Sequence, residues 1–305
     1  MRPARTSTTR TRRSGGRARV SRVGELYGRY GGWALIAGCV EGMGAAYAER
    51  LAGEGFSLVL LDLDRAALQA QARSLAATHG VRTRVFACNL ASPRRVNAVL
   101  DAVENLEIGL LVFNAALGAP GPWSEVSLAS KLLAVHVNVT AVLTMADRLS
   151  RPMIRRGRGG IVLTSSMAAL QGAPRQAVYA ATKAFDLILA ESLWAELRPL
   201  GVDVVGLIPG MVHTPNFERS GAASGESLLL RAIDPEEAVA AALGALGHQP
   251  SVVPGMAWKA VSAAGRLVPR RLMIEAMGQQ VRGLKTTRAG RRPAARRGGQ
   301  RGDRE

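Results

Sequence analysis

From Trp33 onward the chain alternates two kinds of segment. Short runs that are apolar at nearly every position read as buried strands: WALIAG (33–38), SLVLLDLD (57–64), RTRVFAC (82–88), GLLVFNA (109–115), GGIVLTSS (159–166), VDVVGLIPG (202–210) and SVVPG (251–255). Between them lie longer stretches with helical periodicity. These are AAYAERLAGEG, RAALQAQARSLAATHG, SPRRVNAVLDAVEN, a long segment from Leu128 to about Arg155, VYAATKAFDLILAESLWAELRPLG and DPEEAVAAALGALG. Ser92-Pro93 supplies a cap and a pre-set φ at one helix start, and Pro235 stands in the first turn of another. Strands without polar alternation, separated by helices, belong to a parallel sheet covered on both faces. The expected fold is α/β: a doubly wound Rossmann fold of about seven strands with right-handed crossovers.

No repeat or linker interrupts residues 30–255. The expected organisation is a basic tail over 1–28, one domain over 29–255, a helical extension over 256–283 and a second basic tail over 284–305. The net charge of +17 belongs to the ends. Residues 1–30 carry nine Arg against Glu25, and residues 282–305 carry eight Arg and Lys285 against Asp303 and Glu305. Neither tail interleaves aromatics for base stacking, so solvated extensions are expected rather than a nucleic-acid site. Arg12-Arg13 is followed by a polar stretch where an export signal needs an apolar region, so no export is expected. No apolar run reaches the roughly 18 residues of a membrane span, and a soluble, cytoplasmic protein is the expectation. The extension MAWKAVSAAGRLVPRRLMIEAMGQQV is basic and apolar and is broken at Pro269. It is expected to pack on the domain or on a second subunit of a homo-oligomer (dimer or tetramer), with peripheral membrane contact as the alternative. Cys39 and Cys88 form no CxxC, and His79, His136, His213 and His248 lack metal-ligand spacing, so no metal is expected.

Chemistry concentrates at strand ends. The first strand runs into AGCVEGMG, with Gly38, Gly42 and Gly44 ahead of a helix. Glycines there let the backbone turn sharply and let a pyrophosphate approach the helix N-terminus. Asp62 ends the second strand, where an acid accepts both ribose hydroxyls of an adenosine and repels a 2′-phosphate. The fifth strand delivers Ser165 and Ser166 to the edge where ligands of such sheets bind. Tyr179 and Lys183 follow at i and i+4, on one face of the next helix. A phenol with a pKa near 10 is a poor acid at neutral pH, and a neighbouring ammonium stabilises its anion. In an arbitrary protein, Tyr-x-x-x-Lys is usually a helix face with a long Lys beside a buried Tyr. The upstream serine, the glycine loop and Asn138 in HVNVTA tip the reading toward chemistry.

Together, GxxxGxG and YxxxK resemble the short-chain dehydrogenase/reductase family over about residues 31–255. Ala37 stands where that family usually has Thr. Asn89-Leu90 resembles its Asp-Leu pair that meets the adenine. Asn114-Ala115-Ala116 resembles its Asn-Ala-Gly motif, with Ala in the last place. Pro209-Gly210-Met211-Val212-His213-Thr214 resembles its PGxVxT loop over the nicotinamide. The resemblance implies Tyr179 as general acid and base and Lys183 as its tuner and ribose contact. It further implies Ser166 as holder of the substrate oxygen and Asn138 as the residue that positions a water. The implied cofactor contacts are Gly38, Gly42, Met43, Gly44, Asp62, Asn89, Leu90, Asn114, Ala115, Lys183, Pro209, Gly210, Val212 and Thr214. Asp62 and Glu41, with no base beside them in sequence, point to NAD; NADP is the alternative, through Arg65.

The implied activity is NAD(P)-dependent interconversion of a carbonyl and an alcohol on a hydrophobic small molecule: a ketone, a steroid-like compound or an acyl chain. Trp123, Met167, Leu170, Met211 and Phe217 are pocket candidates, and PNFERSGAASGESLLL (215–230) is a candidate lid. Two other readings stand beside it. One is a dinucleotide-binding sensor or scaffold that has lost turnover, supported by Ala37 and Ala116. The other is a nucleic-acid-associated protein acting through its Arg-rich tails.

Overall fold

The computed structural model describes residues 24–220 and 231–280. The C-terminal tail, residues 1–23 of the N-terminal one and residues 221–230 of the candidate lid lie outside the described residues. Seven strands form one parallel sheet in the order β3-β2-β1-β4-β5-β6-β7. They are β1 (Trp33–Ala37), β2 (Ser57–Asp62), β3 (Thr83–Ala87), β4 (Ile108–Phe113), β5 (Gly159–Thr164), β6 (Val202–Leu207) and β7 (Ser251–Val252). The order turns back between β1 and β4, which opens a crevice at the carboxyl ends of these strands.

Two apolar layers explain why the strands carry no polar alternation. Ala34, Ile36, Leu58, Leu60, Leu110 and Val112 point into one core. Their neighbours Leu35, Ala37, Val59, Leu61, Leu111 and Phe113 point into the other. The helices that close these layers are α2 (Gly42–Gly53), α3 (Arg65–His79), α4 (Pro93–Ala102), α5 (Leu128–Val135), α6 (Ala141–Arg155), α7 (Ala177–Leu197) and α9 (Pro235–Ala245). Asp64 and Ser92 cap α3 and α4 by accepting from Ala67 N and Arg95 N.

The N-terminal boundary needs a correction. A helix, α1 (Glu25–Tyr30), begins within the last residues of the stretch expected to be tail (1–28) and crosses into the expected domain. Leu26 and Tyr30 are buried. The Tyr30 hydroxyl donates to Asp203 at 3.0 Å, and Arg29 pairs with the same carboxylate at 2.8 Å. Two apolar anchors on so short a helix are too little signal to stand out from Arg-rich surroundings.

Helices α5 and α6 are joined through a π turn, His136–Thr140. The whole stretch Leu128–Arg155 is 28 residues with a mean hydropathy of 1.5 in its most apolar window, long and apolar enough to cross a membrane. Lys131 and Asp147 break any uninterrupted apolar run in this stretch, while its average hydropathy stays high. Met145, Leu149 and Met153 bury one side against the sheet. Leu132, Leu133 and Leu143 are exposed, together with Ile188 of α7. The helix therefore has two apolar sides, of which the sheet covers one.

The extension forms two helices, α10 (Met256–Gly265) and α11 (Arg270–Gln280), on either side of Pro269. Trp258 anchors α10: it is buried, and its Nε1 donates to Arg231 O at 3.1 Å. Met277 of α11 packs on the buried cluster of Ala168, Ala173 and Ala180, on which Tyr179 also packs. The extension thus reaches from the end of β6 to the Tyr179 face, while Leu267 and Leu272 stay exposed.

Candidate active site

The glycine loop is built by steric exclusion. Gly38 (φ +79°) and Gly42 (φ +56°) take left-handed conformations that side chains resist. A Cβ on Gly44 would stand 1.8 Å from Gly38 O, and one on Gly38 would stand 2.6 Å from Ala115 Cα. Across the loop, Thr214 fills the space that a Gly42 side chain would need. Asn114 Nδ2 donates to Gly38 O at 2.9 Å, and both Asn114 N and Ala115 N donate to Ala37 O. These bonds, with Cys39 Sγ donating to Leu61 O, brace a turn that lacks the family's threonine. Met43 is half-buried and packs its side chain on the core.

Asp62 is drawn to this turn. Its Oδ2 accepts from Val40 N at 3.2 Å and its Oδ1 from Leu63 N at 2.7 Å. Arg219, on the short helix α8 (Pro215–Ser220), reaches back to pair with Glu41. The sequence set no base beside the turn; the tertiary structure brings one. Asn89 closes a local turn by accepting from Ala91 N at 3.0 Å, so the oxygen assigned to the adenine already has a main-chain donor, and Leu90 beside it is buried. Residues 209–214 bridge the crevice. Pro209 O accepts from Met167 N, Val212 pairs with Ile233, and Thr214 Oγ1 accepts from Phe217 N at the start of α8.

The two serines separate cleanly. Ser165 is buried, and its hydroxyl donates to the Lys183 carbonyl at 2.7 Å, fastening α7 to β5. Ser166 stands at the carboxyl edge and accepts from Ala168 N at 3.2 Å, at the head of a 3₁₀ turn over Met167–Leu170. Tyr179 is half-buried and lies one turn before Lys183 on α7. Lys183 Nζ sits 6.0 Å from the Tyr179 ring centre. It donates to Thr164 O at 2.7 Å and to Asp186 Oδ2 at 3.0 Å.

Asn138 lies in the π turn and is buried. Its Oδ1 accepts from Leu117 N at 2.8 Å, and its Nδ2 donates to Leu117 O and Thr182 Oγ1, each at 2.9 Å. The side chain is therefore committed to shaping the site. A π turn loosens the regular helical bonding, and such turns recur at functional sites.

Asp186 was missed from the sequence, although an acid inside the apolar run AFDLILA was the available signal. Burial pushes its carboxyl above the usual carboxylate range, while the charge and hydrogen bond of Lys183 pull it back. Among the pocket candidates, Met167, Leu170 and Met211 gather with Trp258, Ile208 and Val261 in one apolar cluster under α10. Phe217 packs edge-on against His213. Trp123 departs from its expected place in a pocket. It is 66% exposed, with Lys131 over its ring at 3.7 Å, because its loop runs along the surface.

The family model for the short chain dehydrogenase matches residues 32–224. The chain is 31% identical over 229 residues to a 7beta-hydroxysteroid dehydrogenase of Collinsella aerofaciens, covering 74% of this chain and 87% of that protein. It is also 30% identical over 199 residues to the human inactive hydroxysteroid dehydrogenase-like protein 1, covering 64% of this chain and 60% of that protein. A solved structure from work on 7beta-hydroxysteroid dehydrogenase stereoselectivity matches with a TM-score of 0.78 at 29% identity, covering 83% of this chain and 98% of the other.

Proposed function

Since the chain belongs to the short-chain dehydrogenase family, we propose that it interconverts a secondary alcohol and a ketone on a bulky apolar substrate, with NAD as its dinucleotide and Tyr179 as its acid and base. Membership makes it an NAD(P)-dependent oxidoreductase acting on CH–OH groups. The observation that carries the finer reading is Tyr179 one turn from a buried Lys183, beside Ser166 at the carboxyl edge of β5.

The cradle at Gly38–Gly44 fits a dinucleotide: a side chain would fill it, and buried Asn114 Oδ1 beside it has no partner among the described residues. Gly38, Gly42, Gly44, Asp62, Asn114 and Thr214 would hold the group, and its nicotinamide supplies or accepts the hydride. In the reduction direction the Tyr179 hydroxyl gives its proton to the substrate oxygen, and Ser166 donates a hydrogen bond to that oxygen. Lys183 stabilises the phenolate left behind. Asn138, tied to Leu117 and Thr182, keeps the π turn open so that its main chain positions a water.

Asp62 supports NAD. Its carboxylate is held against the glycine turn, where a 2′-phosphate would meet a negative charge, and the Arg219 charge is engaged by Glu41. The apolar cluster of Met167, Leu170, Met211 and Trp258 supports a rigid, lipophilic substrate such as a hydroxysteroid. Fluorescence titration with NADH and NADPH tests the first point, and turnover of a panel of 7-keto and 7β-hydroxysteroids and bulky ketones tests the second. Tighter binding of NADPH would overturn the assignment to NAD. Full turnover by Tyr179→Phe would overturn the mechanism.

The human relative described as inactive favours a second reading, a dinucleotide-binding protein without turnover. NADH binding with no reaction across the whole panel is the outcome expected on that reading.

A further inference from the structure

Asp186 is an acid that the proposed reaction does not use. It lies on α7, three residues after Lys183, and the two side chains are each 2% exposed. Its Oδ2 accepts from Lys183 Nζ, and its Oδ1 has no hydrogen-bond partner among the described residues. A carboxylate taken this far from water is costly unless it answers a specific charge. Its neighbours Leu187 and Ala190 are buried apolar residues, so packing alone would favour an apolar residue here.

We propose that Asp186 is the counter-ion and positioning residue of Lys183, holding the ammonium protonated and tethered against the Thr164 carbonyl while one N–H remains for the Tyr179 side of the site. This rests on the reading of Tyr179 and Lys183 given above. An ammonium out of water tends to shed its proton, and a carboxylate at 3.0 Å opposes that loss. Two of its three N–H groups are engaged by Thr164 and Asp186.

Among the described residues, no charge on the packed elements competes for Lys183 as Asp186 does. β5 contributes the Thr164 carbonyl and the Ser165 hydroxyl, and the 3₁₀ turn contributes Met167 to Leu170. The π turn carries His136, which is exposed, and Lys131 of α5 lies over Trp123. Asp203 of β6 is tied to Arg29 and Tyr30. α7 itself also carries Tyr179, Glu196 and Glu191, the last accepting from Ser251 Oγ at 2.7 Å, and Lys183 is the group whose charge acts on Asp186.

A negative charge makes every neighbouring group hold its proton more tightly, so removing it must shift proton loss to lower pH. The chain has four Lys and four Tyr, few enough to resolve by ¹³C NMR of labelled side chains. Lys183→Arg assigns the Lys183 signal. In Asp186→Asn, the Lys183 signal is expected to titrate at lower pH than in wild type. Asp186→Glu keeps the charge and is expected to hold the Lys183 midpoint near wild type.

An unmoved Lys183 midpoint in folded Asp186→Asn overturns the proposal. So does a full downward shift in Asp186→Glu, which decides the matter if the amide variant does not fold. The titration needs no substrate and no turnover. An active Tyr179→Phe enzyme would therefore sink the acid–base reading without moving this result, and an unmoved titration beside an inactive Tyr179→Phe would sink this one alone.

Discussion

A Cβ on Gly210 would stand 2.1 Å from Cδ2 of Trp258. The loop that leaves β6 and the helix α10 therefore meet with no room for a side chain, and Gly210 is there for space rather than for backbone freedom. Through this contact the C-terminal extension rests on the loop assigned to the nicotinamide end of the site.

Gly210→Ala is expected to push the indole or the loop aside. Overpacking of this kind costs about 1–3 kcal/mol. Thermal unfolding should move down and NADH titration should weaken together. If both stay at wild-type values, the contact does not couple the extension to the site.

The serine pair gives a test of division of labour. Ser165→Ala removes a buried hydroxyl that donates to the Lys183 carbonyl, and is expected to cost about 1 kcal/mol of stability. Ser166→Ala is expected to leave unfolding nearly unchanged and to lower turnover by about a hundredfold, the scale for one lost donor to a reacting oxygen. The reverse pattern would show that the substrate oxygen is held by Ser165.

Lys183→Met should make stability depend on pH, with a sign set by Asp186. Burial raises the Asp186 carboxyl above its unfolded value, so the folded state binds its proton more tightly than the unfolded chain does. Its favourable contribution is present below the unfolded pKa and is lost as pH rises through the folded one. Removing the Lys183 charge, which pulls that pKa back down, enlarges the effect. The loss of melting temperature relative to wild type is therefore expected to be greater at pH 8 than at pH 5. Equal losses at both would show that Asp186 does not carry its charge against this partner.

Leu132 and Leu133 of α5, Leu143 of α6 and Ile188 of α7 are exposed apolar side chains. We expect them to lie in the contact between subunits of a homo-oligomer, since exposed apolar side chains favour association. Sedimentation of wild type against Ile188→Glu with Leu143→Glu should show a change from oligomer to monomer. A wild type that sediments as a monomer overturns the expectation.

Much of the architecture was written locally. Apolar runs such as WALIAG and SLVLLDLD, bounded by turn residues, read as strands buried on both faces, and their alternation with helical segments implies the parallel sheet. The glycines at 38, 42 and 44 were legible because a turn into a helix N-terminus excludes a side chain whatever lies around it. Tyr179 and Lys183 share a face because helical geometry puts i and i+4 together. Each of these follows from residues within a few positions of one another.

What the sequence could not determine depends on partners far away along the chain. Arg219 reaches Glu41 across 178 residues, and Trp258 meets Gly210 across the end of the sheet. Asn138 is tied to Thr182 on another helix, and α1 is held by Asp203, the better part of the domain away. Asp186 could be seen in the sequence as an acid in an apolar run, but its oxygen 3.0 Å from Lys183 could not. Steric and periodic rules act between neighbours and can be read from them. Charge pairing and close packing are decided only when the fold removes water and brings distant groups within a few ångströms.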